Sequence, residues 1–260
     1  MQRPLLDIQH VEISYGGSPA VQDVSLQMEP GQILGIVGES GSGKSTLIKA
    51  AMGLLGEGVV TRGDIYYKGV NVIDAGKETL RRLRGPEMGM IFQNTGASLC
   101  PVRNIEEQLY ESVRQHENAT REEVRFRALE LFENMRLADG ERILQSYPFE
   151  LSGGMNQRVG IMMAMILKPN LLFADEPTSA LDVTVQAQVV KEMMKMRELY
   201  GTGIAIVTHN IGIVEYMADK IAVMYQGRLV EYGDVEQVIR HPQDPYTKKL
   251  IGAVLRINRN

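Results

Sequence analysis

Residues 33–46 read Ile33-Leu34-Gly35-Ile36-Val37-Gly38-Glu39-Ser40-Gly41-Ser42-Gly43-Lys44-Ser45-Thr46, and they combine an apolar run with a glycine-rich motif. The first five residues are an unbroken apolar run, which is typical of a strand buried on both faces of a parallel sheet. The residues from Gly38 to Ser45 satisfy the pattern G-x-x-x-x-G-K-[ST], and apolar residues at helical spacing follow them. We therefore predict a buried strand, a glycine-rich turn and a helix, in that order.

This pattern, placed between a strand and a helix, predicts a P-loop, which is a phosphate-binding turn. Its glycines let successive backbone N–H groups point inward, and the start of the helix adds the positive end of its dipole. Lys44 is expected to reach the β- and γ-phosphates of a nucleotide, and the Ser45 hydroxyl to ligate Mg²⁺. The expected phosphate-binding residues are Gly38, Glu39, Ser40, Gly41, Ser42, Gly43, Lys44, Ser45 and Thr46. The alternatives are a flexible glycine-serine turn, or a P-loop of a kinase, GTPase, helicase or motor ATPase, which share the motif.

Composition places the chain among folded proteins with a large core, because 44% of its 260 residues are hydrophobic. The formal net charge of −4 argues against a protein that coats nucleic acid. Cys100 is the only cysteine, which excludes a disulfide framework and a thiolate metal site and suits a reducing compartment. The longest mainly apolar stretch, Val159 to Leu167, is far shorter than the roughly 20 residues that cross a bilayer, and the first residues lack an apolar signal segment. We expect a cytosolic chain that neither spans a membrane nor is secreted.

Apolar periodicity divides the rest of the chain into strands and helices. Alternation in residues 6–28, with a Gly-Gly-Ser-Pro turn at 16–19, predicts an antiparallel β sheet. Residues 171–174 and 204–207 repeat the unbroken apolar pattern of buried parallel strands. Helices are predicted after a capping box at 120–123, through Val124, Ala128, Leu131 and Met135, and through Val185, Val189, Met193 and Met196.

A single α/β domain with an inserted helical lobe accounts for this order of elements. Residues 1–96 and 161–240 are expected to form the α/β core together with the antiparallel sheet. Residues 97–160 lack a buried-strand run and are expected to form the helical lobe. Residues 241–260 are expected to be a C-terminal extension.

Two acids end the apolar run Leu171-Leu172-Phe173-Ala174-Asp175-Glu176. A carboxylate at the C-terminal end of a buried strand beside a P-loop can hold Mg²⁺, and we assign this role to Asp175. Glu176 is placed to orient or deprotonate the attacking water. The alternative is a pair of acids that merely ends a strand in solvent.

Five further segments carry a family resemblance. The run Leu151-Ser152-Gly153-Gly154-Met155-Asn156-Gln157-Arg158 resembles the signature sequence of ATP-binding cassette (ABC) proteins, a glycine-bearing helix start that can grip a second anion. Gln93 after Met90-Ile91-Phe92 resembles the family's Q-loop, and Ser179-Ala180-Leu181-Asp182 resembles its D-loop. His209 resembles its switch histidine, and Tyr15 its adenine-stacking aromatic residue; taken alone, either side chain is more often structural.

The resemblance covers essentially the whole chain and implies an α/β P-loop NTPase fold. In detail it implies an ABC nucleotide-binding domain with a RecA-like core, an N-terminal antiparallel β subdomain and an inserted helical subdomain. In that family two domains meet head to tail, so ATP lies between one P-loop and the facing signature. The implied catalytic residues are Glu176, His209, Lys44 and Gln93, and the implied Mg²⁺ ligands are Ser45, Gln93 and Asp175. The implied nucleotide contacts outside the P-loop are Tyr15, Ser152, Gly153, Gly154, Gln157 and Asp182.

The resemblance extends to one branch of the family. Met155, residues 179–188 and the run His241-Pro242-Gln243-Asp244-Pro245-Tyr246-Thr247-Lys248 resemble the oligopeptide, dipeptide and nickel importers. This resemblance implies a subunit at the cytoplasmic face of the membrane that powers import through integral membrane permeases. It also implies an extracytoplasmic substrate-binding protein and a second ATPase subunit, non-identical or a second copy of this chain. No nucleic acid is expected.

The cargo and the setting stay open at this point. The chain ends at Asn260 without the cysteine-rich tail of larger peptide-importer subunits, and the loop at 94–101 departs from the family pattern. The short form looks more like the nickel or metallophore subunits, so the cargo is expected to be either a peptide or nickel or a metallophore. The competing class is a soluble ABC ATPase that serves an enzyme complex, such as one for phosphonate degradation. A regulatory nucleotide binder without turnover is disfavoured, because Glu176 and His209 are both present.

Overall fold

The computed structural model describes residues 3–179 and 181–257. The strands are β1 (Leu6–Tyr15), β2 (Ser18–Met28), β3 (Ile33–Val37), β4 (Val59–Tyr67), β5 (Val70–Asn71), β6 (Met88–Ile91), β7 (Leu171–Asp175), β8 (Gly203–Val207), β9 (Lys220–Tyr225) and β10 (Arg228–Asp234). The helices are α1 (Lys44–Ala51), α2 (Lys77–Leu83), α3 (Thr95–Ser98), α4 (Ile105–Arg114), α5 (Arg121–Asn134), α6 (Gly140–Gln145), α7 (Gly153–Met165), α8 (Val183–Tyr200), α9 (Ile211–Met217), α10 (Val235–Arg240) and α11 (Pro245–Ile257). A short 3₁₀ helix spans Pro148–Glu150.

The chain divides into two compact units. Residues up to 81 and from 203 onward form the first unit, and residues 82–202 form the second. The predicted helical lobe at 97–160 lies within the second unit, which also contains β6, β7 and α8. It stays a prediction that residues 97–160 form an inserted helical lobe.

The first unit contains the predicted antiparallel sheet, with strands in the order β2-β1-β4-β5. Strand β1 pairs with β2 from Leu6 opposite Met28 to Tyr15 opposite Ser18. The alternating apolar residues of both strands are buried, whereas the polar residues between them are half-buried or exposed. The sequence period of two therefore corresponds to one buried face of this sheet.

Parallel pairing surrounds β3 in the same unit. Strand β3 pairs in parallel with β8, Ile33 opposite Ile204, and with β9, while β10 joins β9 antiparallel. Every residue of β3 and β8 is buried, which explains why both read as unbroken apolar runs. The P-loop pattern leaves the end of β3 and leads into α1.

The second unit combines one strand pair with helices. Strands β6 and β7 pair in parallel, Met88 opposite Leu171. The predicted capping box begins α5: the Thr120 hydroxyl accepts the Glu123 N–H, and the Glu123 carboxylate accepts the Thr120 N–H at 2.7 Å. Within the described residues of the whole chain, no helix is long and apolar enough to cross a membrane.

Candidate functional site

The predicted P-loop is a tight backbone turn between β3 and α1. Gly38 has a φ of 151°, and a Cβ on it would overlap the carbonyl oxygen of Met224 in β9. Gly43 has a φ of 95°, and a Cβ there would lie 2.5 Å from the Ala20 carbonyl oxygen. Side chains are excluded at both positions by strain and by space, so the sequence pattern reflects the geometry of the turn.

Lys44 is folded back into this turn. Its Nζ donates to the carbonyl oxygens of Gly38 (2.9 Å) and Glu39 (2.7 Å), and it lies 3.3 Å from Ser42 Oγ. Lys44 and Ser42 are buried, whereas Glu39 and Ser40 are exposed. The Glu39 N–H donates to the Tyr246 hydroxyl at 3.0 Å. The loop therefore holds a buried ammonium at the start of α1, where the helix dipole also favours an anion.

Two other predicted residues belong to the first unit. Tyr15 ends β1 and is 36% exposed, and its ring covers Gly58, where a Cβ would lie 2.7 Å from Tyr15 Cε1. A partly exposed ring face fits the predicted stacking on a base. His209 lies exposed in the turn between β8 and α9, beside Asn210, whose side chain caps α9.

Gln93, Asp175 and Glu176 lie in the second unit. Ile91 is opposite Ala174 in the parallel pair, so Gln93 and Glu176, each two residues beyond this pair, lie at the same carboxyl edge. Asp175 is buried at the end of β7. Glu176 has a φ of 47°, a left-handed conformation that glutamate seldom adopts. Seven other non-glycine residues among those described also have a positive φ, so the role of Glu176 stays a prediction.

The segment after Gln93 differs from the predicted loop. Residues 95–98 form α3, and the Asn94 side chain caps it by accepting the Ala97 N–H at 3.2 Å. Sequence reasoning missed Gln108, a buried residue of α4 whose amide accepts the Cys100 N–H at 2.8 Å and donates to the Arg103 carbonyl at 2.9 Å. Gln108 thereby fixes the turn between α3 and α4, and only its position in an amphipathic helix hinted at burial.

The signature segment begins α7. The Ser152 hydroxyl accepts the Met155 N–H at 3.2 Å and caps the helix. A Cβ on Gly153 would meet none of the described atoms within 4 Å, whereas a Cβ on Gly154 would lie 2.9 Å from Val185 Cγ1 in α8. Gly153 therefore borders open space, and Gly154 allows the starts of α7 and α8 to approach each other. Gln157 is only 7% exposed, so its nucleotide contact stays a prediction.

Asp182 caps α8. One carboxylate oxygen accepts the N–H groups of Thr184 and Val185, each at 3.0 Å. Of the predicted D-loop, Ala180 lies outside the described residues, and the nucleotide contact of Asp182 stays a prediction.

A buried ion pair joins α7 to α8. Arg158, the last residue of the signature, is 8% exposed and pairs with Glu192, which is 5% exposed. Arg158 also donates to the Met135 carbonyl at 2.9 Å. Burial raises the pKa of Glu192, although Arg158 opposes that shift. The pair fixes the signature helix against the helix that follows the D-loop.

Comparisons with known proteins identify the family of this chain. Residues 21–179 match the family model described as ABC transporter. The chain is 42% identical to "Probable D,D-dipeptide transport ATP-binding protein DdpD" of Escherichia coli K12, over 96% of this chain and 78% of that protein. It is 39% identical to "Dipeptide transport ATP-binding protein DppD" of Lactococcus lactis, over 97% and 74%.

The fold also matches a solved structure. The dimeric post-hydrolysis state of the ATP-binding cassette MJ0796 bound to ADP and Pi has a TM-score of 0.78 and 27% identity, covering 88% of this chain and 98% of that one. The predicted α/β P-loop NTPase fold is therefore confirmed. The chain belongs to the ABC transporter ATP-binding family and is an ATPase.

Proposed function

We propose that this chain is the ATP-hydrolysing subunit of an ABC importer for peptides. The observation that carries the proposal is a sequence identity of about 40%, over nearly the whole of this chain, to two proteins named for dipeptide transport. Those names favour a transporter over an accessory subunit of an enzyme complex. They also favour a peptide over nickel or a metallophore as cargo.

The chemistry assigned to this chain is to hold phosphates and to direct one water molecule. Lys44 leaves its carbonyl partners for the β- and γ-phosphates, and backbone N–H groups of the loop donate to the same anion. Glu176 orients or deprotonates the attacking water, and His209 contributes beside the transferred phosphoryl group. Hydroxyl, amide and carboxylate oxygens from Ser45, Gln93 and Asp175 are suitable ligands for Mg²⁺, which neutralises phosphate charge when bound.

A facing subunit completes the site in this proposal. The open space beside Gly153, at the capped start of α7, leaves room for a second anion, the terminal phosphates held by another chain. The related MJ0796 cassette is described as dimeric with ADP and Pi. We infer a head-to-tail pair, formed with a second copy or with a related ATPase, in which isolated chains have little activity.

Membrane partners follow from the same family. Integral permease subunits bind the chain at the cytoplasmic face of the membrane, and an extracytoplasmic protein delivers the cargo to them. Val102, which is 80% exposed in the turn that Gln108 fixes, is suited to contact a permease. Substitutions in residues 97–102 are expected to uncouple transport while ATP binding persists, and loss of ATP binding would refute this contact.

Mixing two inactive variants tests the head-to-tail pair. K44A removes the phosphate-binding lysine, and G153D places a carboxylate where the facing phosphates are expected. In a mixed pair one site carries both defects and the other carries neither, so equal mixing restores about a quarter of wild-type ATPase activity. A mixture that stays inactive, while the wild-type chain alone is active, would show that each chain uses its own signature.

Uptake measurements test the cargo. Cells that lack this chain are expected to lose uptake of a labelled dipeptide and to keep uptake of radioactive Ni²⁺. Restoring the wild-type chain, but not K44A, should restore peptide uptake. Loss of Ni²⁺ uptake alone would assign the chain to nickel import, and unchanged uptake of both would remove the transport proposal.

A further inference from the structure

Tyr246, the second residue of α11, contacts the P-loop directly. Its hydroxyl oxygen accepts the Glu39 N–H at 3.0 Å. Its ring stacks on Tyr225 at the end of β9, with the centroids 4.2 Å apart and the ring planes at 26°. Both residues belong to the same compact unit as the P-loop. The contact between Tyr246 and the P-loop therefore lies within one compact unit of the fold.

Several bonds hold Tyr246 in this place. The Glu231 carboxylate in β10 accepts the N–H groups of Gln243 (2.8 Å) and Asp244 (3.1 Å). The Asp244 carboxylate in turn accepts the N–H groups of Tyr246 (2.7 Å) and Thr247 (3.3 Å), which caps α11. Thr247 is fully buried. The segment 241–247 is thus fastened to β10 before it presents the tyrosine ring.

The peptide group that contains the Glu39 N–H also contacts Lys44, because the Gly38 carbonyl accepts Lys44 Nζ at 2.9 Å. The Glu39 carbonyl accepts Lys44 Nζ at 2.7 Å and the Ser42 N–H at 3.2 Å. Glu39 therefore links Tyr246, through its N–H, to Lys44, through its carbonyl. The Ser42 carbonyl is held separately by the Gly227 N–H at 3.2 Å. The start of the loop is the part whose position depends on Tyr246.

We propose that Tyr246 is a positioning residue for the P-loop. Its hydroxyl fixes the peptide group between Gly38 and Glu39, so that the loop keeps the shape that accepts phosphates before a nucleotide binds. This inference rests on the proposed role of Gly38 to Thr46 in phosphate binding. If the loop has its phosphate-binding conformation for only a fraction of the time, its apparent affinity for nucleotide falls by that fraction. A saturating concentration of nucleotide restores the binding conformation.

The Y246F variant tests the inference, because it keeps the stacked ring and removes the hydroxyl. Loss of one net hydrogen bond predicts that MgADP binds about 3- to 10-fold more weakly. The KM for ATP should rise by the same factor, with kcat at saturation unchanged. Y216F is the matched control, because Tyr216 is 60% exposed on α9 of the same unit, and it should bind MgADP as the wild type does.

Further measurements separate positioning from general destabilisation. Amide hydrogen exchange should be faster in Y246F at residues 38–43 and unchanged in β3. E231Q, which loosens the segment but keeps the tyrosine, should weaken MgADP binding less than Y246F, and the double variant should be no worse than Y246F alone.

The results also separate this inference from the proposed phosphate site. If K44A binds MgADP as tightly as the wild type, the phosphate site is elsewhere and both ideas fall. If K44A loses binding while Y246F binds normally, or if Y246F lowers kcat without raising KM, only the role of Tyr246 is refuted.

Discussion

Replacing Gly160 with alanine sets two opposing effects against each other inside α7. In an ordinary helix interior the change is favourable by about 1 kcal/mol, because glycine is the poorer helix former. Here the new Cβ would lie closer than 3.0 Å to Thr95 Cγ2, and 3.2 and 3.3 Å from Thr95 Cβ and Oγ1. Thr95 cannot easily turn away, because it is buried and its hydroxyl donates to the Phe92 carbonyl at 3.1 Å.

Overpacking of this kind costs about 1–3 kcal/mol, and the depth of the overlap argues for the upper part of that range. After the gain in helix propensity, we expect G160A to lower the free energy of unfolding by about 1–2 kcal/mol. For a chain of this length, that corresponds to a fall in Tm of about 2–8 °C.

The T95S background is the decisive control. Serine lacks the Cγ2 methyl group but keeps the hydroxyl that bonds to Phe92, so the severe overlap with Cγ2 disappears and only the milder contacts with Cβ and Oγ remain. On that background G160A should raise stability by about 0.5–1 kcal/mol. Urea unfolding of the wild type, both single variants and the double variant gives the coupling directly. If G160A is as stable as the wild type, or if it lowers the free energy of unfolding equally in both backgrounds, contact with Thr95 does not limit the side chain at position 160.

Other predictions concern the buried pair and one helix cap. E192A should lower the free energy of unfolding by about 3–5 kcal/mol, because it leaves Arg158 buried without its partner, whereas R158M/E192L should recover most of that loss in urea unfolding. Because burial raises the Glu192 pKa, the folded state binds this proton more readily than the unfolded state. Stability measured against pH should therefore fall as pH rises from the ordinary glutamate range through the raised pKa, and E192Q should flatten that slope. T120A should cost about 0.5–2 kcal/mol in thermal unfolding, because it removes the cap that bonds the Glu123 N–H, while T120S should cost less.

Patterns confined to neighbouring residues predicted much of this fold. The unbroken apolar runs became the buried strands β3, β7 and β8, and alternation in residues 6–28 became the antiparallel pair β1 and β2. The capping box at Thr120 is present as predicted. These features depend on local periodicity and hydrogen bonding, which the sequence displays directly.

Contacts between distant residues could not be predicted in the same way. Nothing near Gly160 in the sequence indicates that Thr95 covers it, and nothing near Tyr246 indicates the Glu39 N–H. The positive φ of Glu176 likewise depends on how the chain leaves β7. The motif residues could be predicted from the sequence because phosphate binding requires particular residue types. The residues that support the motif are determined by packing between distant parts of the chain, which the sequence does not display.

The proposed function depends on Glu176, which directs the hydrolysis of phosphates held at Lys44. The most direct measurement is phosphate release by E176Q, alongside retention of labelled ATP. We predict that E176Q binds MgATP within about threefold of the wild type and releases phosphate about 10²- to 10⁴-fold more slowly, the usual contribution of a general base. Undiminished phosphate release from E176Q would contradict this role of Glu176.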